Sequence, residues 1–337
     1  MSDTKSLITS TKPVNESEEI LETSLRPSNF NEIIGRDLEK KSLNLMIESA
    51  RMRKKSLDHI LFHGPPGLGK TSFAYVIAKE MGTQIYSTNG SVLDKVGDLA
   101  AILTSLEPNS ILFIDEIHRL KTQIEEVLYP AMEDKVLDII IGKGPNAKTL
   151  RIDLPEFTVI GATTKLSMLS APLRDRFGMS FRLDFYSNEE LTNLVIQKAG
   201  KLGVKINSDA AEEIARRARM TARIAIRILK RVRDMAIVKG MDRVEKDIVR
   251  ETLELLEVDE DGLDNLDRNL IKIILFDFGN KPVGLSTLSV SLSEETDTIE
   301  SVYEPFLIKK GFLKRTPRGR VVTDKGMKLF NFVSTDE

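Results

Sequence analysis

The sequence contains no cysteine, no tryptophan and only three histidines. The absence of cysteine excludes disulfides, thiolate catalysis and cysteine-ligated zinc, and it suits a reducing compartment. Aromatic residues make up only 6% of the chain, so stacking platforms for single-stranded nucleic acid are scarce. No apolar run approaches the ~20 residues that span a bilayer, and the polar N-terminus lacks the apolar core of a signal peptide. Together these features predict a cytoplasmic protein.

Neither the charge nor the length of the chain is extreme. Lys and Arg total 49 and Asp and Glu total 51, so the net charge would not attract a polyanionic partner. Local basic patches would have to bind it. With 41% hydrophobic and 30% charged residues, the composition is that of a helix-rich globular protein. Because 337 residues exceed what one hydrophobic core normally covers, we expect two or three domains.

The pattern along the chain predicts four segments. Residues 1–24 are polar and are expected to form a flexible tail. Residues 25–186 alternate apolar runs such as HILFHG, SILFIDE and FTVIGATT with helical patterns, which predicts an α/β domain with a parallel sheet. Residues 187–257 show helical spacing throughout, and residues 258–334 contain short helices followed by a turn-rich basic hairpin.

A phosphate-binding loop is the clearest motif. GPPGLGKT, Gly64 to Thr71, fits G-x-x-x-x-G-K-[ST] and lies between a predicted strand and a predicted helix, which is the context that the motif requires. The glycines let backbone N–H groups point at phosphate oxygens, at the positive end of the helix dipole. Lys70 would then reach the β and γ phosphates, and Thr71 would ligate Mg²⁺.

Polar side chains end two further predicted strands. Asp115 and Glu116 follow SILFI, and two carboxylates at the tip of a buried strand indicate a cation site or a reaction. Asp115 is placed to hold Mg²⁺ through water, and Glu116 to activate the attacking water. His118 is expected to be a packing or polar-network residue. The strand FTVIGATT ends in Thr163 and Thr164, where a hydroxyl could contact the γ phosphate or its water.

Two β-rich segments allow alternatives. Residues 137–154 read as a hairpin whose three consecutive isoleucines suit either sheet core or a docking surface. FLKRTPRGRVVT reads as the wing of a winged-helix domain, and the alternative is a solvated hairpin. Seven basic residues and one acid, Asp324, surround this wing, which suits phosphate contacts without base reading: Lys309, Lys310, Lys314, Arg315, Arg318, Arg320 and Lys325.

The order of these motifs resembles that of the AAA+ ATPases and, within them, the RuvB family of Holliday-junction motors. The resemblance runs from Leu25 to Phe332 and includes LRPSNFNEIIG, EVLYPAMED, APLRDRFG, RILKRVRD, VYEPFLIKKGF and LKRTPRGR. It implies a P-loop AAA+ core, an all-helical lid and a C-terminal winged-helix domain. It also implies an ATP- and Mg²⁺-dependent motor for branch migration in recombination and repair. Such a motor would encircle duplex DNA as a hexamer, with RuvA docked through the hairpin 137–154 and the resolvase RuvC in the larger complex.

The resemblance also assigns roles to individual residues. Arg176 would be an arginine finger that completes the neighbouring subunit's site beside Asp115, Glu116 and Thr163, and Arg223 would be the second sensor arginine. Arg315 and Arg320 would contact DNA. The nucleotide would be contacted by Leu25, Arg26, Gly67, Leu68, Gly69, Lys70, Thr71, Ser72, Glu133, Asp134, Tyr186 and Arg223.

Several alternatives and departures from the family pattern bear on these roles. By composition alone, the arginines around Arg176 are a solvated face. A nucleotide-gated DNA-binding switch would need Asp115 but not Glu116, and a protein unfoldase would normally offer an aromatic pore loop. Met220 and Ala222 replace the family's Gly and Pro before Arg223, Lys165 replaces an Arg, and Ser72 replaces a second Thr.

Overall fold

The computed structural model describes residues 24–141 and 148–331. These residues form two units. The sheet unit comprises Arg26–Gly64 and Gly69–Asp184, and the C-terminal unit comprises Leu25, Pro65–Leu68 and the chain from Phe185 onward. The predicted N-terminal tail, apart from Ser24, lies outside the described residues, as do residues 142–147 and the last predicted residues of the third domain. None of the described helices is long and apolar enough to cross a membrane.

Parallel strands form the main sheet of the sheet unit, as predicted. Within the described residues the sheet has the order β2-β3-β6-β1-β7. These strands are β1 Ile60–His63, β2 Ile85–Asn89, β3 Ser110–Asp115, β6 Phe157–Thr163 and β7 Met179–Arg182. Every residue of β6 is buried, as is all of β3 up to Asp115. Such near-continuous apolar strands are typical of a parallel sheet that is covered on both faces.

Helices pack on this sheet through side chains that alternate along each strand. Leu61 of β1 joins a core with Leu99 and Leu128, whereas the ring of its neighbour Phe62 stacks on Phe73 and Phe181. The helices are α1 Asp37–Arg53, α2 Lys70–Met81, α3 Val96–Thr104, α4 Thr122–Glu133 and α5 Ala171–Asp175. Apolar side chains on successive turns therefore fix each helix over one face of the sheet.

The predicted hairpin is present as its own two-stranded sheet. β4 Val136–Ile141 pairs antiparallel with β5 Lys148–Asp153, and the predicted turn lies outside the described residues. Among the described strands these two pair only with each other, so the hairpin is not part of the main sheet. Leu137 is fully buried, and Ile139 and Ile152 pack against the sheet-unit core, so the base of the hairpin is anchored while Leu150 remains exposed.

The first part of the C-terminal unit is helical, as predicted, and we call it the lid helices. These are α6 Asn188–Lys201, α7 Ser208–Arg217, α8 Ala222–Val238 and α9 Lys246–Leu255. A short parallel pair, β8 Lys205–Ile206 and β9 Arg243–Val244, ties their connections together. A capping box of Ser187 and Glu190 starts α6, and the Thr221 side chain caps α8.

The remainder of the C-terminal unit forms the winged-helix region. Its helices are α10 Asn265–Lys272, α11 Leu285–Leu292, α12 Thr296–Thr298, α13 Glu304–Lys309 and α14 Asp324–Lys328, with π turns at Ile273–Asp277 and Ile299–Tyr303. The predicted wing is the antiparallel pair β10 Leu313–Thr316 and β11 Gly319–Val322. A core that includes Ile274, Leu288, Phe306 and Phe312 holds these elements together.

Candidate nucleotide site and wing

Two glycines set the ends of the phosphate loop within the sheet unit. Gly64 has φ 137°, and a Cβ there would lie 2.2 Å from the carbonyl oxygen of Leu183, so no other residue fits. Gly69 has φ 97° and is the N-cap of α2. Lys70 follows it, 93% buried, and its Nζ donates to the Gly64 carbonyl oxygen at 2.8 Å. The Lys70 side chain is thus held beside the N-terminus of α2, where anions bind.

A hydroxyl and a carboxylate meet next to this loop. Thr71 Oγ1 donates to Asp115 Oδ2 at 3.4 Å, and Asp115 Oδ1 accepts the Glu116 backbone N–H at 2.9 Å. This donor set fits Mg²⁺, which keeps waters and takes most other ligands from a bound phosphate. Consistently, no group of three or more His, Asp or Glu side chains among the described residues converges as a self-contained metal site.

Glu116 is held in an unusual position after β3. Its backbone has φ 45°, in the left-handed region, and its Oε2 accepts a hydrogen bond from Thr164 Oγ1 at 3.1 Å. His118 Nδ1 lies 3.3 Å from the same oxygen, so His118 is the polar-network residue that was expected. Gly90 allows this arrangement, because a Cβ there would lie 2.5 Å from the Glu116 carbonyl oxygen.

The two threonines that end β6 are not equivalent. Thr163, the predicted catalytic residue, is fully buried, with its hydroxyl 2.9 Å from His118 Nδ1 and accepting from the Lys165 N–H. Thr164 is only half-buried and is the one that contacts Glu116. Thr163 is the last residue of β6 and Thr164 follows the strand, so the two hydroxyls have different surroundings. The Thr164 hydroxyl therefore contacts the Glu116 carboxylate directly, whereas the Thr163 hydroxyl contacts His118, which lies 3.3 Å from that carboxylate.

Arg176 lies at the end of α5 and is held by its own chain. Its guanidinium donates to Glu133 Oε2 at 3.0 Å and to the Pro172 carbonyl oxygen at 2.8 Å, and it lies 4.6 Å from the centre of the Tyr129 ring. Glu133 is one of the predicted nucleotide contacts, and it pairs with the predicted finger. Asp134, the C-cap of α4, follows it.

Arg26 and Ser72 are two further predicted nucleotide contacts in the sheet unit. The Arg26 guanidinium lies 4.7 Å from the centre of the Tyr75 ring, a cation–π contact. Ser72 is half-buried in the first turn of α2, two residues after Lys70.

The tip of the phosphate loop belongs to the C-terminal unit, where it contacts the start of α8. The Arg223 N–H donates to the Gly67 carbonyl oxygen at 3.3 Å, and a Cβ on Gly67 would lie 3.0 Å from the Arg223 Cβ. The Tyr186 hydroxyl donates to the Leu68 carbonyl oxygen at 3.3 Å. Leu25 and Leu68 are buried, and Arg223 is exposed. The predicted contacts Gly67, Leu68, Tyr186 and Arg223 are therefore close together.

The two predicted DNA contacts of the wing differ in exposure. Arg315 and Arg320 face each other across the hairpin. The Arg315 side chain is 57% exposed, whereas that of Arg320 is 9% exposed and donates to Glu304 Oε2 at 2.8 Å. Arg315 also forms an ion pair, with Glu300 at 3.0 Å, but its pair is partly exposed, whereas that of Arg320 is buried.

Comparison with known proteins places this geometry in a family. The model of the Holliday junction DNA helicase RuvB P-loop domain matches residues 25–183. The RuvB AAA lid domain matches residues 186–259, and the RuvB C-terminal winged helix domain matches residues 260–331. The chain belongs to the RuvB family. It is therefore a P-loop AAA+ ATPase with a lid domain and a C-terminal winged-helix domain, and it binds nucleotide.

Relatives within the RuvB family cover nearly the whole chain. The Holliday junction branch migration complex subunit RuvB of Fusobacterium nucleatum subsp. nucleatum is 55% identical over 313 residues, which is 93% of this chain and 94% of the relative. The structure of the Thermotoga maritima RuvB Holliday junction branch migration motor is 49% identical with a TM-score of 0.85, covering 92% of this chain and 99% of that one. A point variant of the same motor has a TM-score of 0.86.

Sequence reasoning missed three residues that shape the site. Gly90 shows no motif that would single it out, because its role depends on the close approach of Glu116. Tyr129 lies within the family segment EVLYPAMED, and its spacing from Glu125 on one helix face was the available signal; its hydroxyl donates to Glu125 Oε2 at 2.9 Å. The sequence did not indicate a role for Glu304, because its partner Arg320 is 16 residues away.

Proposed function

We propose that this protein is an ATP-driven motor that moves the branch point of Holliday junctions during recombination and repair. It works as a hexameric ring around duplex DNA, with RuvA holding the junction and RuvC joining the larger complex. The observation that carries the proposal is the meeting of Lys70, Thr71, Asp115 and Glu116 at one edge of the sheet, in a RuvB-family chain with a basic wing. We divide the chain into an ATPase domain, 25–186, a lid, 187–257, and a DNA-binding head, 258–334.

The residues of the sheet unit serve ATP hydrolysis in distinct ways. Lys70 and the loop amides bind the phosphates, and Thr71 and Asp115 hold Mg²⁺, which neutralises charge on the phosphate oxygens when bound. Glu116 orients the attacking water and accepts its proton, with Thr164 fixing the carboxylate from the side. The second acid favours a repetitive hydrolase over a nucleotide-gated switch, which would need only Asp115.

Arg176 acts on the site of the neighbouring subunit. In the described part of the chain its side chain contacts Glu133, Pro172 and Tyr129 rather than the phosphate loop of its own subunit. An arginine supplied in trans stabilises the charge of the transferring phosphoryl group. This stabilisation raises the rate of hydrolysis about 10³-fold or more. Arg223 senses the nucleotide from its place on the Gly67 carbonyl. Hydrolysis then requires assembly.

The wing and the hairpin supply the partner contacts. Arg315 and its basic neighbours grip phosphates without reading bases, as suits a motor that passes over any sequence. The hairpin of β4 and β5 projects from an anchored base and docks RuvA. Leu150 is an exposed apolar side chain on this hairpin.

ATPase rate measured against protein concentration tests the trans mechanism. We would compare the wild type, Arg176→Ala, Lys70→Ala and a 1:1 mixture of the two variants, with and without linear duplex DNA. Each variant alone should be inactive, and the mixture should recover activity because one variant supplies the arginine and the other an intact phosphate loop. If Arg176→Ala alone keeps normal DNA-stimulated turnover, the arginine is only a surface residue and the mechanism is wrong.

A second experiment separates the motor from the switch. Glu116→Gln should bind ATP and assemble on DNA but fail to move a Holliday junction in the presence of RuvA. Gln keeps the acceptor for Thr164 but cannot take a proton from water. Full branch migration by Glu116→Gln would contradict a hydrolysis-driven motor.

A further inference from the structure

Arg219 is a buried arginine that the ATPase chemistry does not use. It lies between α7 and α8, four residues before Arg223, and its side chain is 4% exposed. Burying an arginine is costly unless its charge is paired and its donors are satisfied. Its partners therefore indicate what the position is for.

Those partners all come from the winged-helix region rather than from the lid helices. The Arg219 guanidinium forms an ion pair with Asp267 and lies 3.9 Å from Asp264, the two residues of the capping box that starts α10. It also lies 4.2 Å from the centre of the Phe306 ring and 5.3 Å from that of Tyr303. An arginine held by two carboxylates and two rings has little freedom to move independently of them.

The backbone of the same segment contacts the phosphate loop. Arg219 and Met220 both have positive φ, 52° and 56°, which turns the chain sharply into the Thr221 cap of α8. Two residues after that cap, the Arg223 N–H donates to the Gly67 carbonyl oxygen. The guanidinium and the contact with Gly67 therefore lie at the two ends of one five-residue segment, 219–223.

A small cavity shows that the three elements are neighbours. Its volume is about 40 Å³, and its lining includes Pro66 of the phosphate loop, Arg219 and Arg223 of the lid segment, and Pro305 of the winged-helix region. A displacement of α13 or of the start of α10 would be transmitted to this segment, because close-packed neighbours cannot move independently.

We propose that Arg219 is a positioning residue that couples DNA binding by the winged-helix region to the phosphate loop. The inference rests on the proposed function, because it requires a DNA-stimulated ATPase. DNA that pulls on the wing displaces the start of α10 and the Tyr303–Phe306 segment. Arg219 follows these partners and shifts Arg223 against Gly67, which changes the geometry around the phosphates.

The test compares DNA stimulation of ATP hydrolysis in variants of the full chain. Arg219→Met should bind linear duplex DNA with unchanged affinity but lose about 5-fold or more of the DNA stimulation of its ATPase. Arg219→Lys should recover part of the stimulation, because the charge remains while the fork is lost. The matched control is Arg216→Met, which removes an arginine three residues away that pairs with Glu213 of the lid instead; its stimulation should be normal.

A second variant distinguishes loss of coupling from misfolding. This control is needed because Arg219→Met leaves two buried carboxylates without their cation. The triple variant Arg219→Met, Asp264→Asn, Asp267→Asn removes all three charges and keeps amide oxygens for the capping box. It should fold, as judged by circular dichroism and thermal unfolding, and lack the stimulation. A stimulated wild type together with an equally stimulated triple variant would overturn the coupling alone. A wild type whose ATPase does not respond to DNA would overturn the proposed motor and the coupling with it.

Discussion

Replacing Arg320 by methionine should destabilise the wing rather than simply weaken DNA binding. Arg320 Nη2 lies 2.8 Å from Glu304 Oε2, and the Glu304 side chain is only 3% exposed. Removing the cation leaves a buried carboxylate without its main partner, which typically costs 3–5 kcal/mol. Arg315 Nε lies 3.6 Å from the other oxygen of Glu304 and compensates in part. We therefore expect a loss at the lower end, about 3 kcal/mol.

The assay should report on the winged-helix region alone, because a chain with several domains does not unfold in one step. Hydrogen exchange of peptides from β10 and β11 gives the local opening free energy, and peptides from β3 serve as an internal reference. A loss of about 3 kcal/mol raises the opening equilibrium on the order of 100-fold. Arg315→Met, at an exposed ion pair, should change the local free energy by less than about 1 kcal/mol.

Two results distinguish a structural arginine from a DNA-binding one. The double variant Glu304→Met, Arg320→Met removes both buried charges, so exchange should return close to that of the wild type. Arg315→Met should weaken binding to linear duplex DNA and reduce the salt slope by about 0.9, the effect of losing one phosphate contact. The reasoning is refuted if Arg320→Met leaves exchange unchanged and lowers DNA affinity instead.

Three further predictions concern stability. Burial lowers the pKa of His59 to about 4, so neutral His59 contributes fully to the free energy of unfolding above pH 6.5. That contribution should fall by about 3 kcal/mol as pH falls toward 4. His59→Gln should flatten this pH dependence in urea unfolding of the sheet unit. Burial raises the pKa of Asp267 from 3.8 to about 7, so the stability of the winged-helix region should fall as pH rises from about 4 to about 7. The fall should be smaller in Asp264→Asn, as measured by local hydrogen exchange, because the Asp264 carboxylate also raises this pKa. Met220→Gly should raise the unfolding free energy of the lid by about 1 kcal/mol, because φ 56° costs a side chain but not a glycine; equal or lower stability would contradict this.

Much of the nucleotide site was predictable because local chemistry determines it. The carboxyl ends of parallel strands meet at one edge of a sheet, so Lys70 after β1 and Asp115 at the end of β3 lie at the same edge, with β6 between their strands. The glycines of the loop indicated a backbone with positive φ, and Gly64, Gly67 and Gly69 have such values in the structure. The wing was predictable from the turn that joins its two short strands.

The remaining features depend on partners distant in sequence. The choice between Thr163 and Thr164 depends on which hydroxyl His118 takes, 45 residues before Thr163. Arg315 and Arg320 lie opposite each other on the wing, and what separates them is exposure, because Arg320 is buried on Glu304 while Arg315 is largely exposed. Arg219 is one of several arginines close together in the sequence, and its partners Asp264 and Asp267 lie more than 40 residues away, so no local pattern singled it out.

The departures from the family pattern before Arg223 can be understood from this segment. A glycine at position 220 would adopt the left-handed conformation freely, whereas Met220 adopts it at φ 56°, with its carbonyl oxygen accepting the Tyr186 N–H. A proline at position 222 would preset the first residue of α8, but the Thr221 side chain already caps that helix by accepting from the Ile224 N–H. The start of α8 is therefore fixed by a cap, a backbone hydrogen bond and the anchored Arg219. In this chain, side-chain and backbone contacts hold Arg223 against Gly67, although Met220 adopts a strained backbone conformation. In the family pattern, the backbone preferences of a glycine and a proline would fix the same position without that strain.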